Sequence, residues 1–302
     1  MKLSHLFTST AAALALLASA PALADGHSEA PVDNEETSGP ALWKVADEDT
    51  TIYLLGTVHM LPTGLEWYGD TIASALDASD TIVTEIRMDK ESEAAMQVTA
   101  IQKGLITDGS TLRDLLSEEQ KASYEAAMTQ LELPVGQFDR LEPWLVGLSV
   151  AILPLTKQGY SPETGVEKVL LAKIGDKPQD ALETAEFQLD LFDSLPQDKQ
   201  VAFLMEAVEG IDEAKDALDA MVAEWIEGDA DALAELMNEG LSDPVIADAL
   251  LYNRNAKWAT WIETRLDAPG TVFIAVGAGH LAGEKSVQDL LTKRDIEVER
   301  VQ

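Results

Sequence analysis

Two histidines in this sequence stand in the same local context, each three residues after a glycine. Gly56 precedes His59 in one segment, and Gly277 precedes His280 in the other. Each segment follows a short run of β-branched, aromatic and aliphatic residues, which is typical of a strand buried on both faces of a parallel sheet. The glycines permit tight turns that bring backbone N–H groups near the same point. Imidazoles delivered in this way can bind a metal ion.

A carboxylate ends the buried strand that follows the first histidine. Thr81–Thr84 is the predicted strand, Glu85 follows it, and the helical spacing of Leu65–Leu76 predicts a helix before it. Such a strand–helix–strand unit makes its two strands parallel. Ligands bind at the carboxyl ends of strands in open parallel sheets, so we expect His59, Glu85 and His280 to share one pocket. The strands of the two Gly-x-x-His segments should then lie side by side.

Two imidazoles and one carboxylate leave coordination positions open for water, as a hydrolytic or oxygen-activating metal requires. The sequence therefore predicts His59, Glu85 and His280 as ligands of a divalent metal ion. Because the chain has no cysteine, thiolate ligands are excluded. The competing interpretation is that each histidine is a hydrogen-bonded structural residue, and Gly-x-x-His alone does not separate the two.

Three further charged residues are candidates for catalysis. Arg254 lies in a long predicted helix between two asparagines, which are poor helix formers. It could hold an oxyanion or a carboxylate, or it could form a structural ion pair with the sheet. Glu167 ends the turn-rich segment Tyr160–Glu167, and Glu183 ends a short predicted strand. For both glutamates, the alternative is a surface or capping carboxylate.

The N-terminus has the features of a secretory signal peptide. Residues 1–24 combine a positive start, an apolar stretch and a small-x-small cleavage site at Ala22–Ala24. Residues 25–40 are acidic and poor in large apolar side chains, which predicts a disordered leader. No cysteine lies near the cleavage site, so we expect no lipid anchor. The expected location is the periplasm or the extracellular medium.

The formal net charge of −33 argues against nucleic acid or an anionic membrane as a partner. A solvated acidic surface is the default interpretation, and attraction of cationic peptides or divalent metals is the alternative. A peptide or small-molecule substrate is the expected partner. The sequence does not indicate an oligomeric state.

The remaining residues, 41–302, are expected to form one mixed α/β domain. A largely parallel central sheet with flanking helices should carry a large, mostly helical insertion from about residue 90 to residue 265. Within this insertion Trp144–Leu155 is apolar all round, which predicts a buried helix. The helices predicted there are Lys90–Lys103, Ser117–Leu131, Glu142–Lys157, Ala185–Ser194, Gln197–Glu209, Asp212–Glu227, Ala230–Glu239 and Pro244–Arg265. A helix over Gly283–Lys293 and a strand over Glu297–Val301 should end the chain.

Several motifs occur together in one order along the chain. They are Leu42–Val45, Tyr53–His59, Glu85, Gly159–Ser161 with Gly165–Glu167, Leu182–Thr184, Arg254-Asn255-x-x-Trp258 and Val276–Leu281. This set, spread from about Ala41 to Val301, resembles the TraB/GumN-like family. That family includes the Tiki-type proteases, and its relatives include the erythromycin-esterase and ChaN-like proteins.

The resemblance implies an α/β fold and a divalent-metal-dependent hydrolase, with a peptidase as the favoured activity. Manganese or cobalt is the metal favoured by the Tiki branch, with zinc as a further candidate. The ChaN-like relatives instead bind haem-iron, so the alternative is a non-enzymatic periplasmic protein that binds haem, metal or peptide. Haem needs an apolar slot beside a histidine, and the sequence shows no aromatic-rich slot near His59 or His280, which favours the hydrolase.

Overall fold

The computed structural model describes residues 39–240 and 244–302. The predicted signal peptide and most of the predicted leader lie outside the described residues. The last two leader residues, Gly39 and Pro40, are within the described chain, and Pro40 is buried. Its carbonyl accepts a hydrogen bond from Gln302 Nε2 at 3.0 Å. Pro40 is therefore in contact with the C-terminal residue Gln302.

A six-stranded, largely parallel sheet forms the centre of the molecule, with strand order β6-β4-β7-β2-β1-β8. The strands β6, β4, β7 and β2 run parallel to one another, whereas β1 is antiparallel to both of its neighbours. A separate antiparallel pair joins β3 to β5. The strands are β1 (Leu42–Ala46), β2 (Thr50–Thr57), β3 (Leu61–Pro62), β4 (Thr81–Thr84), β5 (Tyr160–Ser161), β6 (Gln179–Ala181), β7 (Gly270–Gly277) and β8 (Glu299–Arg300). The predicted mixed α/β class is confirmed.

The two strands that carry the Gly-x-x-His segments lie side by side, as expected. In the parallel register of β2 and β7, Gly56 faces Val276 and Thr57 faces Gly277. Their central residues are buried, because helices cover both faces of the sheet. Strand β1 is not at the edge of the sheet, because the C-terminal strand β8 pairs with its outer side.

Helices make up most of the chain between β4 and β7. The α-helices of the described residues are α1 (Asp70–Ala78), which precedes β4, α2 (Lys90–Lys103), α3 (Glu118–Gln130), α4 (Pro143–Lys157), α5 (Val166–Lys173), α6 (Ala185–Asp193), α7 (Gln197–Glu209), α8 (Ala214–Glu227), α9 (Ala230–Gly240), α10 (Pro244–Ala247), α11 (Asn253–Arg265) and α12 (Val287–Thr292), which follows β7. A π-helical segment, Asp248–Tyr252, joins α10 to α11. Within residues 39–240 and 244–302, every helix is too short or too polar to cross a membrane.

Three helix boundaries differ from the sequence-based predictions. The helix predicted from Leu65 begins only at Asp70, because Gly69 before it is extended and Trp67 packs against Trp225 instead of joining a helical face. Helix α5 was not predicted, because its first two residues belong to the segment Tyr160–Glu167, whose Pro162 and Gly165 suggest turns. The last predicted helix is shortened to α12.

One core connects the sheet to the helical region. Leu42 and Leu55 from the sheet belong to the same buried cluster as Met221 and Trp225 from α8. Trp225 also donates its indole N–H to the carbonyl oxygen of Gly56 at 2.8 Å. Helix α4 is buried along nearly its whole length, as its apolar sequence predicts. The helical region therefore packs onto the sheet edge that carries the first histidine.

Candidate functional site

Four neighbouring parallel strands deliver one candidate residue each to the same edge of the sheet. Across the sheet, Glu183 follows β6, Glu85 follows β4, His280 follows β7 and His59 follows β2. All four leave the carboxyl ends of their strands. This is the edge at which open parallel sheets bind ligands.

Arg254 on α11 is paired with two of these carboxylates. Its Nη2 donates to Glu85 Oε2 at 2.6 Å and to Glu183 Oε2 at 2.8 Å. Its Nε donates to both oxygens of Glu183, at 3.0 and 3.1 Å. The three side chains are between 4% and 8% exposed, so solvent screens the ion pairs little.

The third guanidinium nitrogen is engaged as well. Nη1 of Arg254 donates to the carbonyl oxygen of Leu250 at 2.9 Å and lies 3.1 Å from His280 Nε2. Leu250 lies in the π-helical segment, and such segments are common at functional sites. Every guanidinium nitrogen thus has an acceptor, so Arg254 has no N–H left for a substrate oxyanion.

Two neutral side chains complete the carboxylate network. Gln188 on α6 donates to Glu85 Oε2 at 2.9 Å and to Glu183 Oε2 at 3.0 Å. Trp258 on α11 donates its indole N–H to Glu183 Oε1 at 3.0 Å. These bonds fix both carboxylates, because a buried charge is tolerated only when it is paired and hydrogen-bonded.

Glu85 is held as a carboxylate. Burial raises its pKa, but the charge of Arg254, the two neighbouring histidines and the N–H of Gly277 together outweigh burial and hold the pKa well below its usual range. The backbone N–H of Gly277 donates to Glu85 Oε1 at 2.8 Å and favours the ionised form. The same oxygen lies 3.8 Å from His280 Nε2.

His280 is neutral, and its tautomer is fixed by Asn255. Asn255 Nδ2 donates to the carbonyl oxygen of Lys285 at 2.9 Å, which leaves its Oδ1 facing His280 Nδ1 at 2.5 Å. Nδ1 of the ring must therefore carry the proton, and Nε2 accepts from Arg254. Burial and then the charge of Arg254 lower the pKa of His280 to about 3.

His59 pairs with a different carboxylate. Its Nδ1 lies 2.5 Å from Glu167 Oε1, and the hydroxyl of Thr57 donates to that same oxygen at 2.5 Å. Burial lowers the pKa of His59, but the charge of Glu167 and its hydrogen bond outweigh burial and raise the pKa above its ordinary value. The His59 side chain is 16% exposed and that of Glu167 is 4% exposed.

Close backbone contacts place this pair. Glu167 lies in the first turn of α5, where the helix dipole favours a carboxylate. The backbone N–H of Val166 donates to the carbonyl oxygen of Val58 at 3.1 Å, next to His59. A Cβ at Gly165 would overlap the carbonyl group of His59, so only glycine fits there. The start of α5 is thereby fixed against the segment that carries His59.

The two histidines and Glu85 converge on Gly277. A Cβ added to this glycine would lie 3.1 Å from Glu85 Oε1, 3.6 Å from His280 Cδ2 and 4.0 Å from His59 Nε2. Nδ1 of His59 is paired with Glu167, and Nδ1 of His280 is paired with Asn255. The Nε2 atom of each ring is therefore on the side that faces the shared site. The structure thus brings together all six residues singled out in the sequence: His59, Glu85, Glu167, Glu183, Arg254 and His280.

The sequence profile of the TraB/PrgY/gumN family matches residues 41–300. The chain belongs to this family. It is 24% identical over 246 residues to the uncharacterised protein YbaP of Escherichia coli (strain K12), covering 79% of this chain and 87% of YbaP. An uncharacterised protein of Treponema pallidum (strain Nichols) is 22% identical over 269 residues, covering 83% of this chain and 80% of that protein. No solved structure matches the chain significantly.

The metal centre that the family resemblance implies does not fit this side-chain arrangement. Arg254 occupies the lone pair of His280 Nε2 and one oxygen of Glu85. Within the described residues, no group of three His, Asp or Glu side chains is placed to hold a metal ion. A divalent ion at these three residues would have to displace a guanidinium from His280. Ion binding by His59, Glu85 and His280 stays a prediction.

Sequence reasoning missed three residues of this TraB/PrgY/gumN site: Thr57, Gln188 and Asn255. Asn255 had a signal, because a poor helix former within a helix suggests a side-chain role. Thr57 lies between the glycine and the histidine of its motif, where its β-branched side chain also suits a strand. Gln188 occupies a polar position of an amphipathic helix, and nothing in the sequence separates it from a surface glutamine.

Proposed function

We propose that this TraB/PrgY/gumN protein is a hydrolase that cleaves an amide or ester bond, with peptides as the favoured substrates, and that His59 is its general base. The observation that carries the proposal is the pair of His59 Nδ1 and Glu167 Oε1, 2.5 Å apart, with the glutamate buried and the imidazole partly exposed. This pair orients the ring and leaves Nε2 as the proton acceptor toward Gly277. A base oriented by a third group is the arrangement that general-base catalysis requires.

In the proposed step, His59 Nε2 takes one proton from a water molecule, and the water oxygen attacks the substrate carbonyl carbon. A bond forms between that oxygen and the carbon, and the bond from the carbon to the leaving nitrogen or oxygen breaks. The proton on Nε2 then passes to the leaving group. The side chain of Glu167, hydrogen-bonded to Nδ1, stabilises the imidazolium that forms in between.

The remaining charged residues have positioning roles in this proposal. Arg254 holds Glu85 and Glu183 in place and keeps His280 neutral, because its positive charge opposes protonation of that ring. Glu85 Oε1, held by the N–H of Gly277, places a negative charge beside the imidazolium of His59. That charge stabilises the protonated base.

Divalent-ion binding is the second candidate role of the same cluster. The observation that favours it is charge: the cluster contains three carboxylates with side chains between 4% and 8% exposed, Glu85, Glu167 and Glu183, and one guanidinium. The excess negative charge would attract a cation.

Export through the predicted signal peptide remains part of the proposal. The proposed activity is therefore outside the cytoplasm.

The non-enzymatic alternative of haem capture has weaker support. The apolar cavity beside His59 has a volume of about 30 Å³. Sites for small molecules and cofactors are typically about 300 to 1,000 Å³. The hydrolase therefore remains our proposal.

The proposal is tested by incubating purified mature protein with a proteome-derived peptide mixture and identifying new termini by mass spectrometry. The reaction is run after dialysis against a chelator and again with added Mn²⁺. We expect cleavage under both conditions. His59→Ala should lose roughly 10²- to 10⁴-fold in rate, which is the usual contribution of a general base.

His27→Ala is the matched control, because it removes a histidine that lies outside the described residues. It should cleave as fast as the wild type. Cleavage that survives in His59→Ala would disprove the role of His59. Cleavage that appears only with Mn²⁺ would favour the metal-dependent mechanism over the one proposed.

A further inference from the structure

A small apolar cavity lies next to the proposed general base and has no part in the step described above. His59 and Gly279 border one side of it, and Leu155, Met221, Leu233 and Met237 lie among the residues around the rest. Its volume is about 30 Å³. Apart from Thr57 and His59, all of the lining residues are apolar or glycine. The cavity therefore offers no partner for a charged or strongly polar group.

The position of the cavity follows from the second histidine motif. A Cβ at Gly279 would overlap the terminal methyl group of Met237, so this turn is in direct contact with the methionine side chain of α9. A Cβ at Gly56 would lie 3.1 Å from the Cα of Ala278, which keeps the two motif segments in contact. The second motif segment therefore forms part of the cavity wall beside the imidazole of His59.

The size and the walls of the cavity define the ligand class. About 30 Å³ is more than the roughly 10–15 Å³ that one water molecule needs, which suits a methyl or small branched group. Apolar cavities of proteins stay dry and bind apolar atoms such as xenon. Methionine side chains are flexible, so Met221 and Met237 can adapt to a slightly larger branched group.

We propose that this cavity is a binding site for a small neutral aliphatic group, which is the substrate side chain next to the cleaved bond. The second half of this statement rests on the proposed hydrolase. A carbonyl attacked beside His59 Nε2 places its neighbouring side chain against the same apolar wall. Alanine- or valine-sized residues fit there, and aromatic or charged residues do not.

The binding site is tested first without reference to activity, with xenon as the probe. The methionine methyl groups are labelled with ¹³C, and their NMR shifts are recorded under xenon pressure. We expect shifts at Met60, Met221 and Met237, and none at Met128 and Met205, which are buried in a different cluster. Absence of shifts at the three cavity methionines, or equal shifts at all five, would overturn the proposal.

The second test measures substrate preference with peptides that differ only in the residue beside the cleaved bond. The wild type should prefer alanine or valine over phenylalanine by about tenfold or more in kcat/KM, as apolar pockets of fixed size do. Met221→Ala enlarges the cavity and should reduce this preference. Met128→Ala makes the same truncation in the other cluster and should leave it unchanged.

The two tests fail separately. If the wild type cleaves no peptide, the proposed hydrolase is wrong, and the xenon experiment alone decides whether the cavity binds aliphatic groups. If it cleaves peptides and prefers phenylalanine, the proposed substrate side chain is wrong. An unchanged preference in Met221→Ala would contradict the proposal in the same way.

Discussion

The two histidines share a sequence context but have different partners. His59 Nδ1 faces the carboxylate of Glu167, whereas His280 Nδ1 faces the amide oxygen of Asn255 and its Nε2 faces Arg254. A carboxylate stabilises the imidazolium, and a guanidinium opposes it. One ring is therefore suited to accept a proton, and the other is held neutral.

The pH dependence of turnover tests the partner of His59. Its pKa lies above the ordinary value, and only the neutral ring is a base, so the rate should rise as pH increases through that pKa. Glu167→Gln removes the charge that raises the pKa, while burial and Arg254 still lower it. The rise should then occur at lower pH, with a smaller maximal kcat.

The measurement is a profile of kcat against pH for both proteins. Glu163→Gln is the matched control, because Glu163 is an exposed glutamate near the start of α5 that pairs with Lys168. Its profile should match that of the wild type. A Glu167→Gln profile with an unchanged midpoint would show that Glu167 does not act through His59.

At the scale of elements, α5 is the part of the site that depends most on one backbone contact. A Cβ at Gly165 would overlap the carbonyl group of His59. Gly165→Ala should therefore shift α5 away from β2 and lower the free energy of unfolding by about 1 to 3 kcal/mol, the usual cost of overpacking. The separation of His59 and Glu167 should also lower kcat.

Urea denaturation of the purified variants measures this cost. Gly69→Ala is the control, because a Cβ at this helix N-cap meets nothing within 4 Å. It should cost less than about 1 kcal/mol, in line with small effects at N-caps. Equal losses in the two variants would contradict the packing role assigned to Gly165.

The strands at the ligand edge and the pairing of β2 with β7 were accessible from the sequence, and the partners of each side chain were not. Buried apolar runs before His59, Glu85 and His280 suffice to predict strands, and the strand–helix–strand rule makes them parallel. Helix α5 was not predicted, because a glycine at position 165 suggests a turn. In the structure this glycine is instead required by its close contact with the carbonyl group of His59. The sequence does not show whether Arg254 binds a ligand or forms a structural ion pair. Only the structure shows that all its guanidinium nitrogens are hydrogen-bonded within the protein.

At the scale of the molecule, the helical region and the sheet share their largest buried cluster. This cluster joins Leu55 of β2 to Met221 and Trp225 of α8. Elements that share a core unfold together, so we expect one cooperative transition. Far-UV circular dichroism and tryptophan fluorescence should give coincident denaturation curves. Two separated transitions would show that the insertion and the sheet are independent domains.

Acidic side chains outnumber basic ones both in the whole chain and in the site. With 54 acidic and 21 basic residues, the chain repels itself, and salt screens this repulsion. The three buried carboxylates of the site are instead paired within hydrogen-bond distance. The site is thus organised by local partners, whereas the charges of the surface are solvated.

The central claim is that His59 is available as a base while His280 is committed to Arg254 and Asn255. The most direct measurement is a pH titration of both rings by NMR in protein with ¹⁵N-labelled histidine, without and with one equivalent of Zn²⁺. We predict that His59 titrates above its ordinary pKa and that His280 stays a neutral Nδ1–H ring down to about pH 5. We also predict no shift of His280 with Zn²⁺. Titration of His280 near its ordinary pKa, or zinc shifts of both rings together, would contradict the account.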